Sequence, residues 1–245
     1  GKLPAGSIDE VFRKVEAGSA GYGVVPVENS TEGAVGRTLD LLLATPLRIC
    51  GEIALPVHHY LLAQRDSLAE RVRIYSHAQS LAQCHDWLEQ NLPGLTRVPV
   101  VSNAEAARLA AAEPGSAAIA SHAAAELYGL DVLAANIEDD PTNTTRFLVI
   151  GTHDVAPSGR DKTSLVMSAA NRPGAVHALL SPLAQHGVSM TRLESRPSRT
   201  GLWEYVFFVD LEGHQEEPHV ARALEGLQSL AAFLKVLGSY PAAVY

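Results

Sequence analysis

The chain is expected to be an α/β protein in two parts: a two-lobed region in which strands alternate with helices, then a compact βαββαβ region. Three observations predict this. Short apolar runs alternate with segments of helical period as far as about residue 152. A polar stretch over 153–161, holding Pro157, Ser158 and Gly159, then breaks the pattern as a linker would. Over 162–245, strand and helix patterns follow one another in the order of the ferredoxin-like arrangement.

Taken in order, Ser7 and Glu10 have capping-box spacing, which predicts a helix over Ile8–Glu16 stopped at Gly18. Tyr22–Val27 reads as a buried strand, followed by the loop Glu28–Gly33 and a helix with Val35, Leu39, Leu42 and Leu43 on one side. Strands are expected at Leu47–Leu55 and Val57–Ala63, the second placing adjacent His58 and His59 on opposite sides. From Arg71, the strand Val72–Tyr75 runs into Ser76, and the next helix carries Leu81, Cys84 and Leu88. A strand near Val98–Val101 leads to a second capping box, Ser102 with Glu105, and Ala117–Ala120 leads to Ser121, the cap of a short helix closed at Gly129. Such alternation predicts parallel sheets, with ligands beyond the carboxyl ends of the strands.

The first region, 1–152, is expected to divide into one lobe of about 1–57 with 136–152 and another of about 58–135. In 162–245 the expected order is strand Thr163–Ala169, turn Asn171–Gly174, helix Ala175–His186, strand Val188–Ser195 and a turn near Arg199–Gly201. Strand Trp203–Leu211, helix Pro218–Leu230 and strand Leu234–Ser239 complete it. An α/β lobe normally starts on a central strand, yet this chain opens on a helix, so a strand and loop upstream are expected to be missing.

The 245 residues, 47% hydrophobic and 19% charged, suit a globular protein with a sizeable core. A net charge of -8, with Lys and Arg scattered rather than clustered, argues against a nucleic-acid partner. Any anionic ligand must then be held by local groups. Cys50 and Cys84 show no CxxC spacing, so neither a disulfide framework nor a thiolate metal site is predicted. With no membrane-length apolar run and no leader pattern, no membrane partner is expected and the cytoplasm is the expected compartment. None of the ten histidines has zincin spacing, so no metal site is expected.

The run Asn143-Thr144-Thr145-Arg146-Phe147 gathers an amide, two hydroxyls, a fixed cation and a ring before the apolar segment Leu148–Ile150. Such a cluster can hold an anion and donate a hydrogen bond to a leaving oxygen. Glu28-Asn29-Ser30-Thr31 and Glu194-Ser195-Arg196-Pro197 are the other two polar clusters of note. Each residue also has a plainer reading: Thr145 as a loop cap, Arg146 in an ion pair, Ser30, Thr31 and Ser76 as helix caps.

Together with Gly23–Ser30, Ser76-His77-Ala78-Gln79 and Asn136-Ile137-Glu138-Asp139, these stretches give the chain a resemblance to prephenate dehydratases followed by an ACT regulatory domain. It resembles the C-terminal part of bifunctional chorismate mutase–prephenate dehydratases. The resemblance covers nearly all of the chain and implies a two-lobed, periplasmic-binding-protein-like catalytic region with a ferredoxin-like ACT region after it. Two departures stand out: nothing corresponds to the family's first strand and Gly-Pro-x-Gly-Thr loop, and Gly174-Ala175-Val176-His177 stands where Gly-Ala-Leu-Val is common.

The resemblance implies loss of carbon dioxide and water from prephenate to give phenylpyruvate for phenylalanine synthesis, with no metal or organic cofactor. Thr145 is the expected donor to the leaving hydroxyl, with Asn29 and Gln79 as amides on substrate oxygens. Glu28 either donates a proton, if burial raises its pKa, or orients Asn29. Arg146 is expected at the pyruvyl carboxylate, because pairing it with the ring carboxylate would stabilise the state that must decarboxylate. Phe147 would then wall the departing group, while Ser30, Thr31, Ser76 and Asn143 complete the substrate contacts.

The expected effector is L-phenylalanine, bound between subunits of a homodimer or homotetramer. Its expected contacts are Arg172, Pro173, Gly174, Ala175 and Val176 with Glu194, Ser195, Arg196 and Pro197. A non-catalytic amino-acid sensor and an arogenate dehydratase are the alternatives.

Overall fold

The computed structural model describes residues 1–64, 73–169, 172–198 and 205–244. The expected features at Arg71, Val72, Asn171, Arg199–Gly201 and Trp203 lie outside the described residues. In chain order the elements begin α1 (Ile8–Glu16), β1 (Gly23–Asn29), β2 (Gly33–Ala34), α2 (Gly36–Ala44), β3 (Arg48–Pro56), β4 (Tyr60–Ala63) and β5 (Arg73–His77). Then come α3 (Ala78–Gln83), α4 (His85–Asn91), β6 (Thr96–Val100), α5 (Asn103–Ala112), β7 (Ser116–Ala120), α6 (His122–Tyr128), β8 (Asp131–Ala135) and β9 (Thr144–Gly151). The last are β10 (Asp161–Ser168), α7 (Ala175–Gln185), β11 (Met190–Pro197), β12 (Tyr205–Glu212), α8 (Pro218–Leu230) and β13 (Phe233–Pro241).

Contacts divide the chain into two units, Gly1–Leu55 with Thr144–Tyr245, and Pro56–Asn143. In the first unit a sheet of order β2-β1-β9-β3 shares a core with the sheet β11-β12-β10-β13. Phe12, Val25, Leu39, Leu42, Ile49, Leu148 and Ile150 meet Val166, Phe208, Leu237 and Tyr240 there. The second sheet has the strand order of a ferredoxin-like fold. Its other face carries Leu165, Met167, Val209 and Leu211 against Leu179, Leu183, Val220 and Leu227, from α7 and α8. The two sheets come so close that a Cβ added to Gly238 would overlap the carbonyl oxygen of Ile49.

Local sequence explains the ends of the helices. Ser7, Ser102 and Ser121 each accept a hydrogen bond from the backbone N–H three residues on, and Gly129 closes α6 at φ 66°. Helix α2 has no basic residue in its last turn. Its C-terminal carbonyls are met instead by Lys235 Nζ of β13, 3.1 Å from Leu42 O, 3.0 Å from Leu43 O and 2.6 Å from Thr45 O. Burial, then the nearby Arg48, lowers the pKa of Lys235.

In the second unit the order is β6-β5-β7-β4-β8. Only β5 with β6 and β5 with β7 run parallel there, and β4 pairs antiparallel with β7 and β8. In the first unit β1 is antiparallel to both β2 and β9, so the expectation of parallel sheets is corrected: the second unit's sheet is mixed, and these first-unit pairs are antiparallel. Strand β8 was not foreseen. The helix expected through Leu81 and Leu88 is two helices, divided at Cys84, where φ is -117° and ψ 20°.

Residues 136–143, expected in the first lobe, cluster with the second unit. Ile137 N donates to His59 O at 3.0 Å, and Asp139 caps α4 by accepting from the N–H groups of Asp86 and Trp87, both at 3.0 Å. His58 and His59 precede β4 rather than alternating along it. One carboxylate, Glu138, binds both: His58 Nδ1 at 2.8 Å and His59 N at 2.9 Å. Burial pushes the Glu138 carboxyl up, but those hydrogen bonds outweigh it and leave its pKa lowered. No helix among the described residues is long and apolar enough to cross a membrane.

Candidate active site

Strands β1 and β9 pair with Glu28 opposite Arg146 and Asn29 opposite Thr145. Because side chains alternate along a strand, these two rungs point to opposite faces of the sheet. Asn29 and Thr145 share one face with the next rung there, Pro26 and Phe147.

On that face the Asn29 Nδ2 donates to Thr145 Oγ1 at 2.9 Å. The amide cannot turn over without loss, since its Oδ1 accepts from Thr31 N at 3.0 Å and Glu32 N at 3.2 Å. With a lone pair of Thr145 occupied by Asn29, the threonine proton is left to point elsewhere, and polarisation by the incoming N–H makes it a better donor. Ser30 secures the same loop: its N–H donates to Thr144 O and its Oγ accepts from Thr144 N, both at 2.9 Å. Ser30 and Thr31 are exposed in the turn between β1 and β2, not at the start of α2 as expected, because that helix begins at Gly36.

On the reverse face Arg146 is buried and its three nitrogens are all engaged by protein. Nε donates to Glu52 Oε2 at 2.6 Å, Nη1 to Asp210 Oδ2 at 2.6 Å and Nη2 to the Tyr240 hydroxyl at 3.0 Å. Burial works against the charge, but Asp210, Tyr240 and Glu52 carry its pKa above the ordinary value. The fork expected at a substrate carboxylate is filled here by two protein carboxylates and a phenol. Glu28 lies on this side too, 3.7 Å from Arg146 and 3.4 Å from Arg192. Its carboxylate thus joins the ionic cluster on this face.

The second unit holds the other candidates. Ser76 is fully buried inside β5, its hydroxyl 2.9 Å from both Asn103 Oδ1 and Ile119 O. The cap of α3 is His77, so the expected helix-start placement of Ser76 is corrected. Gln79, half-buried in the first turn of α3, has its N–H 3.3 Å from His77 Nδ1. Asn143 is buried; its N–H donates to Asp140 O at 3.2 Å and its backbone carbonyl accepts from Val57 N at 2.8 Å. Among the described residues no group of three His, Cys, Asp or Glu could hold a metal ion.

In the C-terminal region Arg172–Gly174 are exposed, with Gly174 at φ 76° as the N-cap of α7, and Ala175 and Val176 open that helix. Alternation divides Glu194–Pro197: Arg196 turns toward α2, its Nη2 3.0 Å from Asp40 Oδ1, whereas exposed Ser195 and Pro197 point the other way. Sequence reasoning missed Asn103, Glu52, Asp210 and Tyr240. The signal for Glu52 and Asp210 was present, because a carboxylate inside an apolar strand is rare unless paired.

Residues 2–155 match the family model for prephenate dehydratase, and residues 163–228 that for the ACT domain. A bifunctional chorismate mutase/prephenate dehydratase from Neisseria gonorrhoeae is 56% identical over 97% of the chain and 67% of its own length. The chain thus spans about two thirds of the bifunctional relatives it matches. Among solved structures, a prephenate dehydratase from Arthrobacter aurescens in complex with L-Phe superposes with TM-score 0.88 at 37% identity, over 98% of this chain and 81% of that one. Another, described as a quorum-quenching acylase, also gives 0.88 at 36% identity, over 98% and 88%.

Proposed function

Since the chain belongs to the prephenate dehydratase family, with an ACT domain after the dehydratase region, we propose that it converts prephenate to phenylpyruvate under restraint by L-phenylalanine. The bond from the ring to its carboxylate breaks, carbon dioxide leaves, and the freed electron pair aromatises the ring as it expels the hydroxyl. One proton is taken up, and the hydroxyl departs as water. The protein's task is to help that oxygen leave. A positioned donor contributes about a hundred- to ten-thousandfold.

The observation that carries this reading is the Asn29–Thr145 hydrogen bond of 2.9 Å, which aims a polarised hydroxyl from a fixed strand. An alcohol is a weak acid, so Thr145 donates a hydrogen bond to the departing oxygen or relays a proton to it. Gln79, Ser30, Thr31 and Phe147 are the proposed substrate contacts. L-Phenylalanine would bind between subunits of a homodimer or homotetramer, against Arg172–Val176 and Glu194–Pro197. The cytoplasm is the proposed compartment, in keeping with Cys50 and Cys84 as free thiols.

The test is phenylpyruvate formation by the whole protein from prephenate, with and without L-phenylalanine, beside arogenate. Turnover of prephenate, suppressed by L-phenylalanine, is the expected result. Binding of L-phenylalanine without turnover of either acid would leave a sensor, and a higher kcat/KM for arogenate would change the substrate. The likeness to a protein described as an acylase adds amide hydrolysis as a control. Thr145 has only the amide of Asn29 on its hydroxyl among the described residues, with no base to make it a nucleophile, which favours dehydration.

A further inference from the structure

Arg146 is the residue after Thr145, and on a strand that places the two on opposite faces. The guanidinium lies between β3, which supplies Glu52, and the C-terminal sheet, which supplies Asp210 from β12 and Tyr240 from β13. Around it Lys162 Nζ reaches Glu52 Oε1 at 2.8 Å, and Ser164 Oγ lies 2.5 Å from Asp210 Oδ1 and 2.6 Å from the Tyr240 hydroxyl. Arg192, from the strand that also holds Glu194–Pro197, approaches Glu28 at 3.4 Å. Three cations, Arg146, Lys162 and Arg192, thus face three anions, Glu28, Glu52 and Asp210. The formal charges balance within the cluster, with Arg192 Nε and Nη2 buried and short of a hydrogen-bond partner among the described residues.

Resting on the dehydratase reading above, we infer that Arg146 is a positioning residue for Thr145, and not a contact of the substrate. From the reverse face it ties β9 to β3 and to the regulatory sheet, while its rung partner Glu28 ties β1 into the same cluster. The next rung is Asn29–Thr145, so the alignment of the catalytic hydroxyl depends on the cluster behind it. A misplacement of about 1 Å can cost about a hundredfold in rate.

The experiment compares the whole protein with Arg146→Lys, Asp210→Asn and Tyr240→Phe, recording kcat, KM for prephenate and the melting midpoint. Tyr240→Phe removes a single hydroxyl and guards against a variant that fails to fold. Asp210 and Tyr240 lie in the regulatory sheet, on the face of the cluster. Their substitution is expected to lower kcat by about tenfold to a hundredfold with KM within about twofold, and Arg146→Lys to do the same. Thr145→Val combined with Tyr240→Phe is expected to be no slower than Thr145→Val alone.

An Arg146→Lys variant with KM raised about tenfold or more, beside wild-type kcat in Asp210→Asn and Tyr240→Phe, would identify a substrate clamp and overturn the inference. Loss of kcat only in proportion to lost folded protein would overturn it too. If the unmodified protein leaves prephenate untouched, the dehydratase reading fails first and the inference falls with it.

Discussion

Asn29 hands a hydrogen to the Thr145 hydroxyl across the β1–β9 ladder at 2.9 Å, and holds that pose because its own oxygen is pinned by Thr31 and Glu32. The pair acts as one unit. Thr145→Val, which keeps the shape and removes the hydroxyl, is expected to lower kcat by about a hundredfold or more with little change in KM. Asn29→Ala should give a smaller loss, and the double variant no more than Thr145→Val alone, as measured by steady-state phenylpyruvate formation.

Glu52 accepts from Arg146, Lys162 and Ala243 N, with its side chain buried. Glu52→Gln leaves the cluster one negative charge short and takes from Lys162 its carboxylate partner, and chemical denaturation at neutral pH is expected to show a loss of about 3–5 kcal/mol.

The same carboxylate sets an acid response. Burial raises its pKa, but Arg146 and the Lys162 and Ala243 hydrogen bonds outweigh that and leave it below the ordinary 4.5. A lowered folded-state value means the stabilisation is complete above about 4.5 and is lost as pH falls through the folded value. Glu138 is lowered in the same sense. Stability measured between neutral pH and pH 3 should therefore fall less steeply in Glu52→Gln than in the unmodified protein.

Gly238 of β13 runs against the backbone of Ile49, where any Cβ meets main-chain atoms that cannot swing aside. Gly238→Ala is expected to cost about 1–3 kcal/mol, and more if the two sheets must part. Thermal melting with and without L-phenylalanine would read this.

Cys84 is buried, and burial, then the charges of Asp139 and Glu138, push its pKa up to about 12. At pH 8 the native protein should keep this thiol from an aromatic disulfide reagent, and denaturant should release it. Prompt labelling in the native state would contradict the burial of Cys84 at the junction of α3 and α4.

Where a signal was local, the sequence was a good guide. The serine caps at residues 7, 102 and 121 and the full span Pro218–Leu230 follow from spacing within one turn or one period. The faces of β9 were also legible, because the period of two applied to His58 and His59 applies equally to Thr145 and Arg146. Chemistry that suits a carboxylate drew Arg146 to the substrate when geometry already sent it the other way. Strand β8 was hidden because Asp131–Ala135 is half-exposed and begins on a residue poor in strands. The cluster of Glu52, Asp210 and Tyr240 joins segments far apart in the chain, and no short window of sequence contains such a pairing.

Lys235 and the end of α2 meet across about 190 positions of chain. During translation residues 36–44 leave the ribosome long before that lysine is made, so their last carbonyls wait in water until β13 arrives. The α2 end is thus unfinished until a strand about 190 positions further along the chain has been made.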